Sequence, residues 1–265
     1  MKIISWNVKN GLNNIEKIKR ISSLAPDIAI LQEVQNSQKS EKHFQFEDCL
    51  WVGEGKARGL GVGVFTFSKD YKLDLLVEDI KYEWIIPIKV SGKENFTLIA
   101  VWTKRMPSAS YGKVLYNAFI EYENLIKNGP VIIMGDFNLE KRVTSSYSGL
   151  GGKGGYNKII DLFNSFNLTS CYHHINKEEY GMESKYTYYH HQNLEKPFHI
   201  DYCLVSKEYI PFIRKFSIGE VSEYLSVSDH SPLIFESELN ECSAKGKDEL
   251  GNNKIEDKEI SNLLI

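Results

Sequence analysis

Apolar positions along the chain follow two rhythms. Short continuous runs at Lys2–Ser5, Asp27–Leu31 and Val131–Met134 have the length of buried strands. Leu60–Phe67 is a glycine-punctuated strand, and Tyr71–Val77, Ile80–Val90 and Asn95–Trp102 are β-rich segments parted by Ser91-Gly92 and charged residues. Phe198–Val205 and Pro232–Ser237 supply late strands. Helical spacing appears at Ile15, Ile18, Ile21 and Leu24, with Pro26 as the stop. It returns over Tyr111–Lys127, where Val114, Leu115, Ala118, Phe119, Tyr122, Leu125 and Ile126 share a face and Asn128-Gly129-Pro130 closes the helix. Tyr156–Phe166 predicts another helix, and polar Asn36–Asp48 predicts a loop. Strands outnumber the three or four helices, and the two do not alternate. The pattern therefore predicts a two-sheet sandwich with helices on its outer faces rather than a doubly wound parallel sheet.

Composition adds bounds. With 265 residues, 42% hydrophobic and 25% charged, the chain is an ordinary globular sequence. A single unit of this size buries about three quarters of its unfolded surface, so it needs no disulfide or metal to fold. The apolar runs are too short to span a bilayer, and no membrane partner is expected. Beyond Leu239 aromatics almost vanish, which predicts one domain over 1–239 and a charged tail over 240–265. Net charge is 32 − 35 = −3, so no global basic field draws the protein to nucleic acid, and any polyanion must be met locally. The first residues show no signal-peptide pattern. Cys49, Cys171, Cys203 and Cys242 form no paired motif and read as reduced thiols. A cytoplasmic monomer without an obligate protein partner is the expectation.

Chemistry-bearing residues cluster beside the strand-like runs: Trp6-Asn7, Gln32-Glu33, Asp136-Phe137-Asn138, Asp201 and Ser228-Asp229-His230. Asn, Asp and Glu offer hard oxygens of the kind Mg²⁺ or Mn²⁺ prefers. A carboxylate inside a strand such as Phe198–Val205 needs a partner, and a histidine would serve. Such a set suits metal-assisted hydrolysis of a phosphate ester: a carboxylate to deprotonate water, an amide donor, and a histidine to steady negative charge. The Gly149–Gly154 stretch spells a dinucleotide fingerprint but follows no strand, and reads as a flexible loop. Cys171, His173, His174, His190, His191 and His199 match no zinc spacing, and the histidines read as surface loop residues.

Trp6-Asn7, Gln32-Glu33, Gly135-Asp136-Phe137-Asn138, Ile200-Asp201-Tyr202 and Ser228-Asp229-His230-Ser231-Pro232 occur in that order over about 1–237. Taken together they resemble the endonuclease/exonuclease/phosphatase superfamily, whose members include exonuclease III-like and DNase I-like nucleases, inositol polyphosphate phosphatases and sphingomyelinases. The resemblance implies an α/β class, four-layer α/β sandwich: two mainly antiparallel sheets packed face to face, helices outside, and the site at one edge of the sheets. It implies Glu33 as main metal ligand with Asn7 and Asp229 close to the ion, and Mg²⁺ or Mn²⁺ as cofactor. It implies Asp136 as activator of water, Asn138 as orienter of that water or of the phosphate, and His230 on the scissile phosphate, oriented by Asp201.

The chain departs from the pattern at Trp102, where relatives of this kind carry His or Tyr after the strand. Lys104, Arg105 or Tyr111 could fill that role as cation or phenol. Tyr188 and His190 are read as a substrate rim, because aromatics stack on bases and histidines contact phosphates; His199 joins the substrate-contact set. A nuclease acting on DNA is the expected function. A phosphatase or lipid phosphodiesterase on a small phosphoester is the alternative, favoured by the near-neutral charge, and a non-catalytic binding module is the second alternative.

Overall fold

The computed structural model describes residues 1–36, 44–53, 59–82, 84–104, 109–141 and 153–238. In chain order its elements are β1 (Lys2–Asn7), α1 (Ile15–Leu24), β2 (Ile28–Gln35), β3 (Asp48–Gly53), β4 (Leu60–Thr66), β5 (Tyr71–Leu75), β6 (Ile85–Gly92) and β7 (Phe96–Trp102). There follow α2 (Tyr111–Glu121), α3 (Glu123–Lys127), β8 (Val131–Asp136), α4 (Lys153–Ser165), β9 (Leu168–Ser170), α5 (Cys171–Asn176), β10 (Tyr188–Tyr189) and β11 (Pro197–Phe198). The chain continues with β12 (Asp201–Ser206), β13 (Ile213–Ile218), α6 (Val221–Tyr224) and β14 (Leu233–Ser237). Two six-stranded sheets run β13-β14-β1-β2-β4-β3 and β5-β6-β7-β8-β12-β9, and β10-β11 form a small hairpin. Pairing is antiparallel except between β1 and β2 and between β7 and β8. No helix among the described residues is long and apolar enough to cross a membrane.

The continuous apolar runs have a simple cause: their strands are covered on both faces, and successive side chains enter different layers. In β8, Ile132 and Met134 enter the core between the sheets, while Val131 and Ile133 pack under α2 and α4. In β2, Ile28 and Ile30 join the same central core, and Ala29 and Leu31 meet Ile18 and Ile21 of α1. Three apolar interfaces thus separate four layers, as the expected sandwich requires. The side chain of Asn14 caps α1 by accepting from the Glu16 N–H at 2.9 Å, and Ala25 ends it in the left-handed region just before Pro26.

Several elements differ from the sequence pattern. The expected helix over Tyr111–Lys127 is broken at Tyr122, whose φ and ψ of −92° and 13° leave the helical region. Its phenol donates to the Ile85 carbonyl at 3.3 Å, and its ring meets Tyr82 edge-on. The expected strand from Ile80 begins only at Ile85, because Trp84 takes a φ of 77°. Phe198 belongs to the small hairpin, and the sheet strand starts at Asp201. His173, read as a surface residue, is buried in α5, where Ser170 and Glu183 take its two ring nitrogens at 2.8 and 3.1 Å. The Gly149–Gly154 loop falls largely outside the described residues, as do residues 239–265, which include the expected tail over 240–265.

Candidate active site

Strand parity explains where the polar residues converge. Ile132 and Met134 face the central core, so Asp136, two positions on, faces the same interior at the strand end. Cys203 and Val205 share that face of β12, and Asp201 extends it. On β1 the residue in step with Ile3 is Asn7. Apolar core gives way to amide and carboxylate at the same end of both sheets. Trp102, Asp136 and Asp201 are register partners across β7, β8 and β12, so they lie side by side. Glu33 reaches the group differently. It sits unpaired at a bulge between Gln32 and Val34, with a left-handed φ of 56° that re-aims its side chain.

Tight backbone geometry supports these placements. Gly135 has a φ of 153°, and a Cβ there would lie 1.9 Å from the Val101 carbonyl oxygen. Thr187 accepts from the N–H groups of Ile200 and Asp201 at 3.0 and 3.1 Å, holding the start of β12. Ser228 donates to the Asn7 carbonyl at 2.7 Å and accepts from the His230 N–H at 3.1 Å, while the Trp6 indole donates to the His230 carbonyl at 2.8 Å. The Asp229-His230 segment is thereby fastened to β1.

The side chains form one connected network. The Asn7 amide nitrogen donates to Glu33 at 3.2 Å and to Asp136 at 3.1 Å. Asp136 also accepts from the Asn138 N–H at 3.0 Å, and the Asn138 amide donates to the Thr103 carbonyl at 3.0 Å. His230 holds Asp201 through Nδ1 at 3.0 Å and turns Nε2 toward Asp136 at 4.0 Å. Asp136 and Asp201 face each other across antiparallel strands, and the imidazole between them offsets a repulsion that would otherwise be costly. Burial lifts the Asp136 carboxyl to about 7, with the Asp201 charge adding to the rise; His230 and the Asn7 and Asn138 hydrogen bonds oppose it. Burial disfavours the His230 cation, yet the charge and hydrogen bond of Asp201, with Asp136 and Asp229, outweigh it and raise the imidazole to about 9. The neighbouring carboxylates therefore favour the protonated imidazole.

A cleft of about 410 Å³ opens above this network. Of the residues singled out in the sequence, Asn7, Glu33, Lys104, Tyr111, Asp136, Asn138, Tyr188, Asp229 and His230 line it, and Asp201 stands directly behind His230. The Lys104 ammonium lies 4.5 and 4.6 Å from the ring centres of Trp84 and Trp102, so the aromatic pair seats a cation at the cleft wall. Tyr188 packs 4.6 Å from the His230 ring and shares a 2.8 Å hydrogen bond with His190, which does not line the cleft. His199 is buried against Tyr172 and Tyr202, with Nδ1 on the Lys185 carbonyl at 2.9 Å, and is not a cleft residue. Arg105 lies outside the described residues. The sequence reading passed over Lys9, Asn10 and Thr103, which also line the cleft. The one local signal was an Asn-Gly pair directly after the Asn7 motif.

The donor set suits a divalent cation. Glu33, Asp136 and Asp229 bring hard oxygens to one cleft, and the Asn7 amide donates to both Glu33 and Asp136, so Glu33, Asn7 and Asp229 would be the residues to hold a divalent ion. Asp136, Asp201 and His230 also form a buried trio whose potential ligand atoms lie within 4.8 Å of one another. In that trio Nδ1 is already committed to Asp201, which favours proton handling there and leaves the Glu33 side for an ion.

A model of the endonuclease/exonuclease/phosphatase family matches residues 4–230. No curated protein matches the chain. Among solved structures, the endonuclease domain of TRAS1, a telomere-specific non-LTR retrotransposon, superposes with a TM-score of 0.62 at 14% identity, covering 88% of this chain and 96% of its own. A variant of the 3′ phosphatase NExo from Neisseria, bound to product DNA hairpin, gives a TM-score of 0.64 at 19% identity, covering 90% and 100%. At these identities the two likenesses show a common fold.

Proposed function

The chain belongs to the endonuclease/exonuclease/phosphatase family, and from that premise we propose that it is a divalent-cation-dependent phosphodiesterase hydrolysing P–O bonds of DNA. The observation that carries the reading is the convergence of Asn7, Glu33, Asp136, Asp229 and His230, from both sheets, on one cleft. Mg²⁺ or Mn²⁺, held by Glu33 with Asn7 and Asp229, would neutralise charge on the phosphoryl and leaving oxygens. Asp136, whose burial makes it a stronger base than an exposed carboxylate, takes the proton of the attacking water. Asn138, fixed by Asp136 and Thr103, orients that water or the phosphate. His230 has its Nδ1 tied to Asp201 and offers Nε2–H to a phosphoryl oxygen as negative charge builds. Lys104 and Tyr111 take the place of the His or Tyr that Trp102 displaces, one as cation and one as proton donor. The catalytic unit is 1–239, with 240–265 as an appended tail.

Both structural neighbours are described in terms of nucleic acid, one as a retrotransposon endonuclease domain and one with a DNA hairpin. The second reading, removal of a terminal phosphate from DNA, draws support from the neighbour described as a 3′ phosphatase and from a cleft of only about 410 Å³. The test incubates the protein with Mg²⁺ or Mn²⁺ and single-stranded, double-stranded, nicked, abasic and 3′-phosphorylated DNA, with RNA and bis(p-nitrophenyl) phosphate alongside. Chain cleavage lost in D136N and H230A supports the first reading. Phosphate release from 3′ ends without chain cleavage supports the second. Intact DNA and RNA across all metals, with turnover of the small ester alone, removes the nucleic-acid assignment.

A further inference from the structure

Lys9 stands two residues beyond Asn7 and lines the cleft, yet neither the network nor the proposed chemistry uses it. Lys9, Asn10 and Gly11 take successive left-handed φ values of 48°, 60° and 88°. Lysine rarely adopts this region without support from its surroundings, although asparagine does so more readily. Four contacts do so here. The buried Lys17 ammonium donates to the carbonyls of Lys9 and Gly11 at 2.6 and 2.9 Å. The Lys9 N–H donates to Asn7 Oδ1, and the Asn10 N–H to Glu33 Oε2, both at 3.0 Å. The result is a clamped turn that aims the Lys9 ammonium across the cleft, 3.3 Å from Asp229 Oδ2 and 3.1 Å from Gln192 Oε1. An incidental surface ion pair has no need of a buried lysine to hold its backbone.

We propose that Lys9 is a phosphate-binding cation of this cleft, latched to Asp229 until a divalent ion takes that carboxylate, and that Lys17 is its positioning residue. The proposal rests on the phosphoester reading of the site and names the residue that makes phosphate binding follow ion binding. An ion that engages Asp229 leaves the ammonium without its anion, facing a cleft in which a substrate phosphate is the next available one. Lysine suits the exchange because its charge is compact and its stem flexible. Ammonium and ion repel each other. Lys9 therefore weakens ion binding while strengthening phosphate binding, and the two effects have opposite sign.

Calorimetry on the full chain tests this, with Mn²⁺ alone and then inorganic phosphate at saturating Mg²⁺ as probes. K9M should bind Mn²⁺ about 3- to 10-fold more tightly, from relief of a cation–cation contact near the protein surface. It should bind phosphate about 10-fold or more weakly, the loss expected for a charge-assisted contact. K9R should keep most of the phosphate affinity. D229N leaves residue 9 untouched and keeps the test open if K9M does not fold. Without metal it should bind phosphate more tightly than the parent, because the latch is gone. Unchanged phosphate binding in K9M, or unchanged metal-free phosphate binding in D229N, each overturns the proposal. If the parent chain binds no Mn²⁺, the ion-dependent reading of the cleft itself fails, and the Lys9 exchange with it.

Discussion

Asp201→Asn removes a charge without removing a side chain, which isolates what the carboxylate does for His230. The imidazole stands at about 9 rather than 6.5, and Asp201 is the main influence raising it. Moving the imidazole from 6.5 to about 9 corresponds to about 3 kcal/mol favouring the imidazolium. At pH 7.5 a group titrating at 9 is about 97% protonated; without the Asp201 charge, burial pushes the imidazole down, so D201N should lower the rate about 10-fold or more through loss of the cation. The same substitution takes a negative neighbour from Asp136, which moves its carboxyl down from about 7 and makes it a weaker base. Both changes reshape the pH profile in the same direction. The alkaline limb of metal-dependent phosphodiester cleavage should move from near pH 9 toward pH 7, and the optimum should turn acid. NMR titration of the His230 ring in chelated protein reads the imidazole directly, without turnover. An alkaline limb and a His230 titration that both match the parent chain would refute the argument that Asp201 acts through the imidazole's charge.

Gly135→Ala places a methyl group on the Val101 carbonyl at a φ hostile to alanine, and should cost about 3 kcal/mol or more, read by urea denaturation. Thr187→Val keeps the shape but deprives the buried Ile200 and Asp201 N–H groups of their acceptor; a loss of about 2 to 5 kcal/mol is expected by the same measurement, and an unchanged midpoint counts against it. In chelated protein, Asp136 and His230 each bind a proton more tightly folded than unfolded, so their contributions are greatest at low pH. Stability should fall as pH rises through about 4 to 7 for Asp136 and about 6.5 to 9 for His230, and Mg²⁺ should restore it at the upper end; melting curves with and without chelator show this, and D136N should flatten the lower part.

Much of the site was legible because it lies where apolar runs end. Val131–Met134 leads into Gly-Asp-Phe-Asn, and period-two alternation alone puts Asp136 on the inner face. Asn7 and Asp201 follow the same rule on β1 and β12. Glu33 does not, since nothing in a Gln-Glu-Val sequence announces a bulge with a left-handed glutamate; the partner strand β4 creates it. Strands β3, β9 and β13 escaped notice for related reasons. β9 has three residues, and in β13 the exposed Arg214 and Lys215 interrupt the alternation at a bulge on the sheet edge. The burial of His173 and His199 depends on partners at Ser170, Glu183 and Lys185, contacts that exist only after the chain has folded. Lys9 was missed because its place in the cleft comes from a turn that Lys17, Asn7 and Glu33 hold together.

The pairing of β1 with β14, sealed by the Trp6 indole on the His230 carbonyl, has a consequence during synthesis. Asn7 and Glu33 ride on the opening strands β1 and β2, while Asp229 and His230 arrive only just ahead of β14. The cleft is therefore incomplete until the segment ahead of β14 has docked on β1, so its assembly waits on nearly the whole of the described chain.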